Sequence, residues 1–325
     1  MSYLSIQDLP PPPQGKVGWP WTEDCLKLAG RSLQREHWPR ISIVTPNYNY
    51  THFIEQTIRS ILLQGYPHLE YIIVDDGSTD GSVEIIKKYE KWLTFWNTGP
   101  NRGQTQASNE GFKLASGEIV NWLCSDDFLL PQALLTVGQY FYRYPKIDCL
   151  VGVGRTRYLN RNHKEWIFKP RPIHLIPVTV PFSQPSCFYR RELLNRSPAL
   201  DESYHYLMDL ELWAYFQSKR INWKVIDNIL SVSLVHGQNK TSTGKYQVTY
   251  ELERIYKTYV TERIPLTFWH RLIRFPLERF SAKHPHPFWM VLVGPIWIFW
   301  TMVLGLFYGW ERAWSMRWRW TLTRF

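Results

Sequence analysis

Two pairs of adjacent aspartates are the residues best placed to do chemistry: Asp75-Asp76 in IIVDDGSTDGS and Asp126-Asp127 in NWLCSDDFLLP. Neighbouring carboxylates repel each other and favour a cation between them. Magnesium and manganese take oxygen ligands and commonly join one or two carboxylates to the phosphates of a substrate. Such a metal neutralises charge on a diphosphate leaving group as its bond breaks. The spacing therefore suits work on a phosphate ester with Mg2+ or Mn2+. Each pair also fits a plainer role, a strand-to-helix turn for the first and helix capping ahead of Pro131 for the second.

The surrounding pattern predicts what positions these pairs. ISIVTP is a β-branched run ended by Pro46, which predicts a buried strand. HFIEQTIRSILLQ places Phe53, Ile54, Ile58, Ile61 and Leu62 at helical spacing, and Gly65 and Pro67 stop it. LEYIIVDD predicts a second strand that ends in the first acidic pair. Gly77 and Gly81 permit tight turns, while Ser78, Thr79 and Asp80 suit the cap of a helix over Ser82 to Trp92. Further helices are predicted over Gln104 to Leu114 and Leu134 to Tyr144. Between them EIVNWLCSDD predicts a strand ending in the second pair. This alternation predicts an α/β fold with a parallel sheet. Ligands of such sheets bind beyond the C-terminal ends of the strands. Past Ile147 the pattern is less regular. CLVGVGRTRYL and INWKVIDNILSVSLVH predict strands, and Arg190 to Leu194 and Met208 to Ser218 predict helices.

The chain has 325 residues, enough for one large or two modest domains. Its formal net charge of +10 calls for an anionic partner, whether nucleotide, nucleic acid or an anionic membrane face. Cys25, Cys124, Cys149 and Cys187 form no CxxC pair and are expected as reduced thiols rather than zinc ligands. The start, MSYLSIQDLPPPPQGK, has neither a basic opening nor an apolar run, so the catalytic part is expected in the cytosol. Residues 1 to 39 are expected as a Pro-rich tail. Pro10 to Pro13 favour an extended, poorly ordered segment, and Trp19-Pro20-Trp21 suits a surface strap.

ISIVTPNYN, VDDGSTDGS, NRGQTQASNEGF and SDDFLLPQAL, in this order and spacing, resemble the inverting family 2 glycosyltransferases. The likeness is close over 40 to 133 and continues through FSQPSCFYRREL and MDLELW to His236. It implies a GT-A nucleotide-sugar fold over 40 to 240, with a mixed, mostly parallel sheet flanked by helices. The nucleotide-sugar side would be formed by Thr45, Pro46, Asn47, Asp75, Asp76, Arg102, Gly103, Asp126 and Gln184. Asp127, in the variant Ser125-Asp126-Asp127 of the family's DxD motif, would hold the metal, with His236 as a further contact. Asp209 in MDLELW falls where the family places its catalytic base, with Glu211 as the fallback; Asp209 equally suits capping of its helix. The implied donor is a nucleotide-diphosphate sugar, UDP by default. The acceptor is a glycan or lipid-linked hydroxyl, as in bacterial polysaccharide-building members. The loop TPNYNYTH lacks the glycines of a nucleotidyltransferase. The intact carboxylates argue against a mere sugar-binding protein.

Residues 241 to 287 form a basic connector, and 288 to 325 an apolar segment with a Trp/Arg-rich tail. Phe288 to Trp310 has no charged residue and is long enough to cross a bilayer. Gly294-Pro295, Gly305 and Gly309 weaken a straight helix. Arg271, Arg274, Arg279 and Lys283 precede it, and Arg312, Arg317, Arg319 and Arg324 follow it, so the positive-inside rule selects no side. A spanning helix and a re-entrant or in-plane element with both ends on the cytosolic face remain open. Anionic lipid, rather than nucleic acid, is the expected partner of this charge. The expected location is the plasma membrane, with catalysis on its cytoplasmic side.

Overall fold

The computed structural model describes residues 4–24, 38–160, 164–178, 180–240, 245–260, 266–269 and 287–314, with short pieces between 272 and 280. Cys25 and the basic residues Arg271, Arg274, Arg279, Lys283, Arg317, Arg319 and Arg324 lie outside the described residues. Two compact units emerge. The first comprises 1–170, 182–203 and 221–236; the second comprises 171–181, 204–220 and 237–325.

The first unit is built on one sheet, with nine strands among the described residues. In chain order they are β1 (Ile41–Asn47), β2 (Leu69–Asp75), β3 (Phe95–Thr98), β4 (Ile119–Trp122), β5 (Asp127–Leu129), β6 (Cys149–Tyr158), β7 (Lys164–Phe168), β8 (Cys187–Arg190) and β9 (Trp223–Val235). They run β3-β2-β1-β4-β8-β6-β9-β5, with β7 on β6. The β3-β2-β1-β4 half is parallel, and β8 enters antiparallel beside β4. Every residue of β1 is buried, the polar Ser42, Thr45 and Asn47 included, as in a strand covered on both faces. The helices are α1 (Ile54–Leu62), α2 (Ser82–Tyr89), α3 (Gln104–Leu114) and α4 (Ala133–Arg143). Ile54, Ile58 and Ile61 of α1 join Ile41, Ile43, Leu134 and Phe141 in the main core, the stripe that their spacing predicts.

Register places the site. Asn47 pairs with Asp75, and Asp75 with Thr98, so β1, β2 and β3 end together. One boundary differs from the sequence expectation. β4 stops at Trp122, and Asp127 opens β5 instead of closing β4. The reason is non-local: β5 pairs antiparallel with Ser231 to Ser233 of β9.

The N-terminal segment also departs from an unordered tail. Over 4–24 it is a strap packed on the sheet domain, as Trp19-Pro20-Trp21 suggested. The Trp19 indole donates to the Leu129 carbonyl at 2.7 Å. Fully buried Arg59 donates to the carbonyls of Pro10, Pro20 and Trp21 at 2.8, 3.1 and 3.3 Å.

The second unit is helical: α5 (Met208–Ser218), α6 (Lys245–Tyr259), α7 (Leu266–Trp269) and α8 (Pro287–Tyr308). The α6 carboxylate of Glu251 accepts the backbone N–H groups of His205, Tyr206 and Leu207 at 2.8, 2.9 and 2.8 Å. Helix α8 runs unbroken through Pro295 and ends before Gly309, whose φ is +87°.

Candidate active site

Asp75 is buried at the end of β2, and its carboxylate organises the turn. One oxygen accepts the N–H groups of Gly77 and Ser78 and the Thr98 hydroxyl at 3.0, 2.9 and 2.7 Å. The other accepts the Asn47 amide and the Ser78 hydroxyl at 2.7 and 2.5 Å. A ligand reaching for Asp75 would have to displace one of these donors. Asp76 is engaged less. It accepts the Gly103 N–H at 2.8 Å, and burial raises its proton affinity against the hydrogen bonds of Gly103 and Arg102. Gly77, at φ +78°, supplies the close approach between the two loops; a Cβ there would stand 2.6 Å from the Gly99 carbonyl oxygen.

The other nucleotide-side residues gather along this edge. Thr45 and Tyr71 share a buried hydroxyl contact of 3.1 Å, and Pro46 pairs with Val74 in the sheet. Arg102 is half-exposed and forms an ion pair with Glu110. The Gln184 amide donates to Asn121 Oδ1 and the Trp122 carbonyl at 3.1 and 2.8 Å. The side-chain carbonyls of Asn47 and Gln184 are buried and accept no hydrogen bond among the described residues.

The second acidic pair forms a tighter cluster. Ligand atoms of Cys124, Asp126 and Asp127 all lie within 4.8 Å of one another. Asp127 is 8% exposed, and one oxygen accepts the Leu234 N–H at 3.3 Å. Burial first, then the Asp126 charge, pushes its proton affinity well above the ordinary carboxylate range. Two close carboxylates with an adjacent thiol fit Mg2+ or Mn2+ through the oxygens. His236 joins through Asp126: its Nε2 lies 3.1 Å from Asp126 Oδ2, and its ring stacks on Phe53 at 4.4 Å. It falls outside the trio of mutually close ligand atoms.

The scaffold explains this placement. Thr57 of α1 donates one hydroxyl to the carbonyls of Ser125 and Asp127 at 2.9 and 2.7 Å, and Ser60 accepts the Leu129 N–H at 3.1 Å. Cys124, expected only as a core or surface thiol, belongs to the cluster, and Gln104 donates to its sulfur at 3.2 Å. The signal in the sequence was its position two residues before Asp126. Thr57 and Phe53 gave none, because helical spacing explains both equally well.

Asp209 and Glu211 belong to the second unit, in the first turn of α5. Asp209 is half-buried and accepts the Leu210 N–H at 2.7 Å. Glu211 is buried and accepts the Tyr259 hydroxyl of α6.

This geometry coincides with a sequence family. Residues 42–197 match the family described as glycosyl transferase family 2. The chain carries a family 2 glycosyltransferase domain. Among curated proteins, it is 42% identical over 92 residues to TuaG of Bacillus subtilis (strain 168), a glycosyltransferase named for teichuronic acid biosynthesis. That match spans 27% of this chain and about a third, 36%, of the relative. A glycosyltransferase of Rickettsia typhi (strain ATCC VR-144 / Wilmington) is 28% identical over 226 residues, 66% of this chain and 70% of its own. Two solved structures share the fold, which is GT-A. S. aureus TarS 1-349 in complex with UDP-GlcNAc has a TM-score of 0.53 at 19% identity, covering 80% of this chain and 78% of that one. The mannosyltransferase PcManGT from Pyrobaculum calidifontis, with GDP-Man and Mn2+, has a TM-score of 0.57 at 16% identity, covering 92% and 90%.

Proposed function

We propose that the protein is a metal-dependent inverting glycosyltransferase. It moves a sugar from a nucleotide-diphosphate donor, UDP-linked by preference, to a hydroxyl of a glycan or lipid-linked acceptor in cell-surface polysaccharide synthesis. The observation that carries this reading is the buried Asp126-Asp127 cluster at the sheet edge, within a family 2 domain. Asp127 and Asp126 would hold Mg2+ or Mn2+, which supplies charge neutralisation on the departing diphosphate. The UDP-GlcNAc complex of TarS and the GDP-Man and Mn2+ complex of PcManGT support donor and metal by analogy. Asp76, Gly103, Asn47 and Gln184 offer donors and acceptors along the nucleotide-sugar side, with Thr45, Pro46 and Arg102 beside them.

Asp209 takes the proton from the acceptor hydroxyl as its oxygen bonds the anomeric carbon, and the bond from that carbon to the diphosphate oxygen breaks. Attack opposite the leaving group inverts the configuration. Glu211, buried against Tyr259, suits support of α5 better than proton transfer. Work takes place at the cytoplasmic face of the plasma membrane, held by the apolar C-terminal helix. The test is a panel of nucleotide sugars scored for nucleotide release with and without Mn2+. Wild-type turnover by Asp127→Asn or Asp209→Asn would overturn the assignment of that residue. Release by no donor in the panel would overturn the reading.

A further inference from the structure

We propose that α8 lies in the plane of one membrane leaflet and does not cross the bilayer, so that both of its ends stay on the catalytic side. The inference rests on the membrane attachment proposed above and specifies its form.

Helix α8 has 22 residues, and at 1.5 Å per residue it measures about 33 Å, enough to span the hydrocarbon core. Length alone therefore permits crossing. The contacts of its C-terminal half oppose it. Trp297, Thr301 and Leu304 are buried, at the i, i+4, i+7 spacing of a single stripe. The Tyr308 hydroxyl accepts the Trp269 indole N–H of α7 at 3.0 Å. The chain then reverses at Gly309. Trp310 closes against Gly305, where a Cβ would meet its ring at 2.7 Å, and the Trp314 ring returns to within 5.9 Å of Trp297. Two polar contacts fix this return to the second unit: Glu311 pairs with His174 at 2.8 Å, and Arg312 donates to the Tyr256 hydroxyl of α6 at 3.2 Å. The C-terminal end of α8 is thus bound to charged, water-facing protein.

The N-terminal end faces a constraint from sequence. If α8 stood upright with Tyr308 at the protein, Pro287 would lie at the far face. The chain from Trp269 to Pro287 would then also cross, carrying Arg271, Arg274, Glu278, Arg279 and Lys283. A crossing takes about 20 predominantly apolar residues, and a charge at the bilayer centre costs about 2.5–3.5 kcal/mol, so a segment with charges at 271, 274, 278, 279 and 283 is unsuited to a second crossing. In the plane no second crossing is required.

The exposed face supplies what enters the leaflet. Val291, Phe299, Met302, Leu306 and Phe307 are each more than half exposed, and the most apolar 18-residue stretch of α8 is only 22% buried. Helix α8 carries no charged residue of its own, so the polar side that an interfacial element needs is supplied by the protein packed on Trp297, Thr301 and Leu304, while its outward apolar face sinks about 5–10 Å into the headgroup and acyl boundary. Basic flanks on both sides, which leave the positive-inside rule without a direction, are what an in-plane helix requires.

The experiment uses the full chain with an epitope tag at each end, expressed in a bacterial host. Inside-out and right-side-out vesicles are treated with protease. In-plane attachment predicts that both tags are lost from inside-out vesicles and that both are protected in right-side-out vesicles. Cleavage of the two tags from opposite faces, or labelling of a Phe288→Cys variant by a membrane-impermeant maleimide in right-side-out vesicles, overturns the proposal while leaving membrane attachment intact; the second outcome is the one a helix standing upright would give, since it returns both tags to one face. Recovery of the protein free of vesicles overturns the attachment itself, a distinct result. A double variant, Phe299→Lys with Leu306→Lys, is expected to shift most of the protein into the high-salt wash. Full retention would show that the outward face is not the anchor.

Discussion

Glu251 of α6 accepts the backbone N–H of Leu207 at 2.8 Å, two residues ahead of Asp209. With the same carboxylate also holding His205 and Tyr206, the loop that enters α5 is fixed from a neighbouring helix. If Asp209 is the base, its aim depends on Glu251. Small displacements of a reacting group cost about 10²-fold in rate. Glu251→Ala is expected to lower kcat by about that factor while leaving the donor KM near wild type. Glu251→Gln keeps one acceptor oxygen and is expected to recover part of the loss. An unfolded fraction at the assay temperature, read from a thermal melt, large enough to account for the fall in kcat would mark general unfolding instead.

Asp127 gives a pH prediction with a definite sign. Burial and Asp126 raise its folded-state proton affinity. A raised value means that the group contributes stability below the ordinary carboxylate range and loses it as pH rises through the folded value. The metal-free protein should therefore become less stable as pH climbs past that range. Added Mn2+ should stabilise it more at the higher pH, because the metal competes with the proton. Asp127→Asn should flatten both trends. Thermal melts across pH, with and without MnCl2, measure them. An Mn2+ shift in the variant equal to wild type would assign the metal elsewhere.

Much of this site was legible in the sequence, for local reasons. Gln104 to Leu114 and Met208 to Ser218 fold as their periodicity predicts, to the residue. Asp75 and Asp76 sit at the end of the predicted strand. What escaped depends on partners far along the chain. Asp127 starts a three-residue strand because Ser231 to Ser233 pair with it, roughly a hundred positions later. The saturation of Asp75 requires Asn47 and Thr98, which only the register brings together. The role of Glu251 is invisible because a lone helical glutamate reads as a solvated charge.

The N-terminal strap yields a stability prediction. Arg59 is fully buried and binds three strap carbonyls and the Tyr89 hydroxyl, with Trp21 against its guanidinium. Arg59→Leu leaves those carbonyls without a donor, at about 1–3 kcal/mol for each group that water cannot reach. The unfolding midpoint in urea should fall, with a net loss of about 3–5 kcal/mol. A change below about 1 kcal/mol, within the ordinary range for surface substitutions or little above it, would mean that the strap does not depend on this residue.

Gly77 joins the nucleotide loop to its neighbour, and two effects act on any replacement. Its φ of +78° is strained for an L-residue, and a Cβ would stand 2.6 Å from the Gly99 carbonyl oxygen, which is backbone and cannot rotate aside. Gly77→Ala must therefore push the 99–103 loop away from β2. That loop carries Gly103, whose N–H holds Asp76. The expected result is a loss of about 1–3 kcal/mol in stability together with a higher donor KM, since Asp76 and Gly103 lie on the nucleotide side. Gly81→Ala is the control. Its φ of +97° is equally strained, yet a Cβ there meets only the Thr51 hydroxyl at 3.5 Å. It should lose stability with little change in donor KM. Equal KM changes in the two variants would show that backbone strain, and not the contact between the loops, sets donor binding.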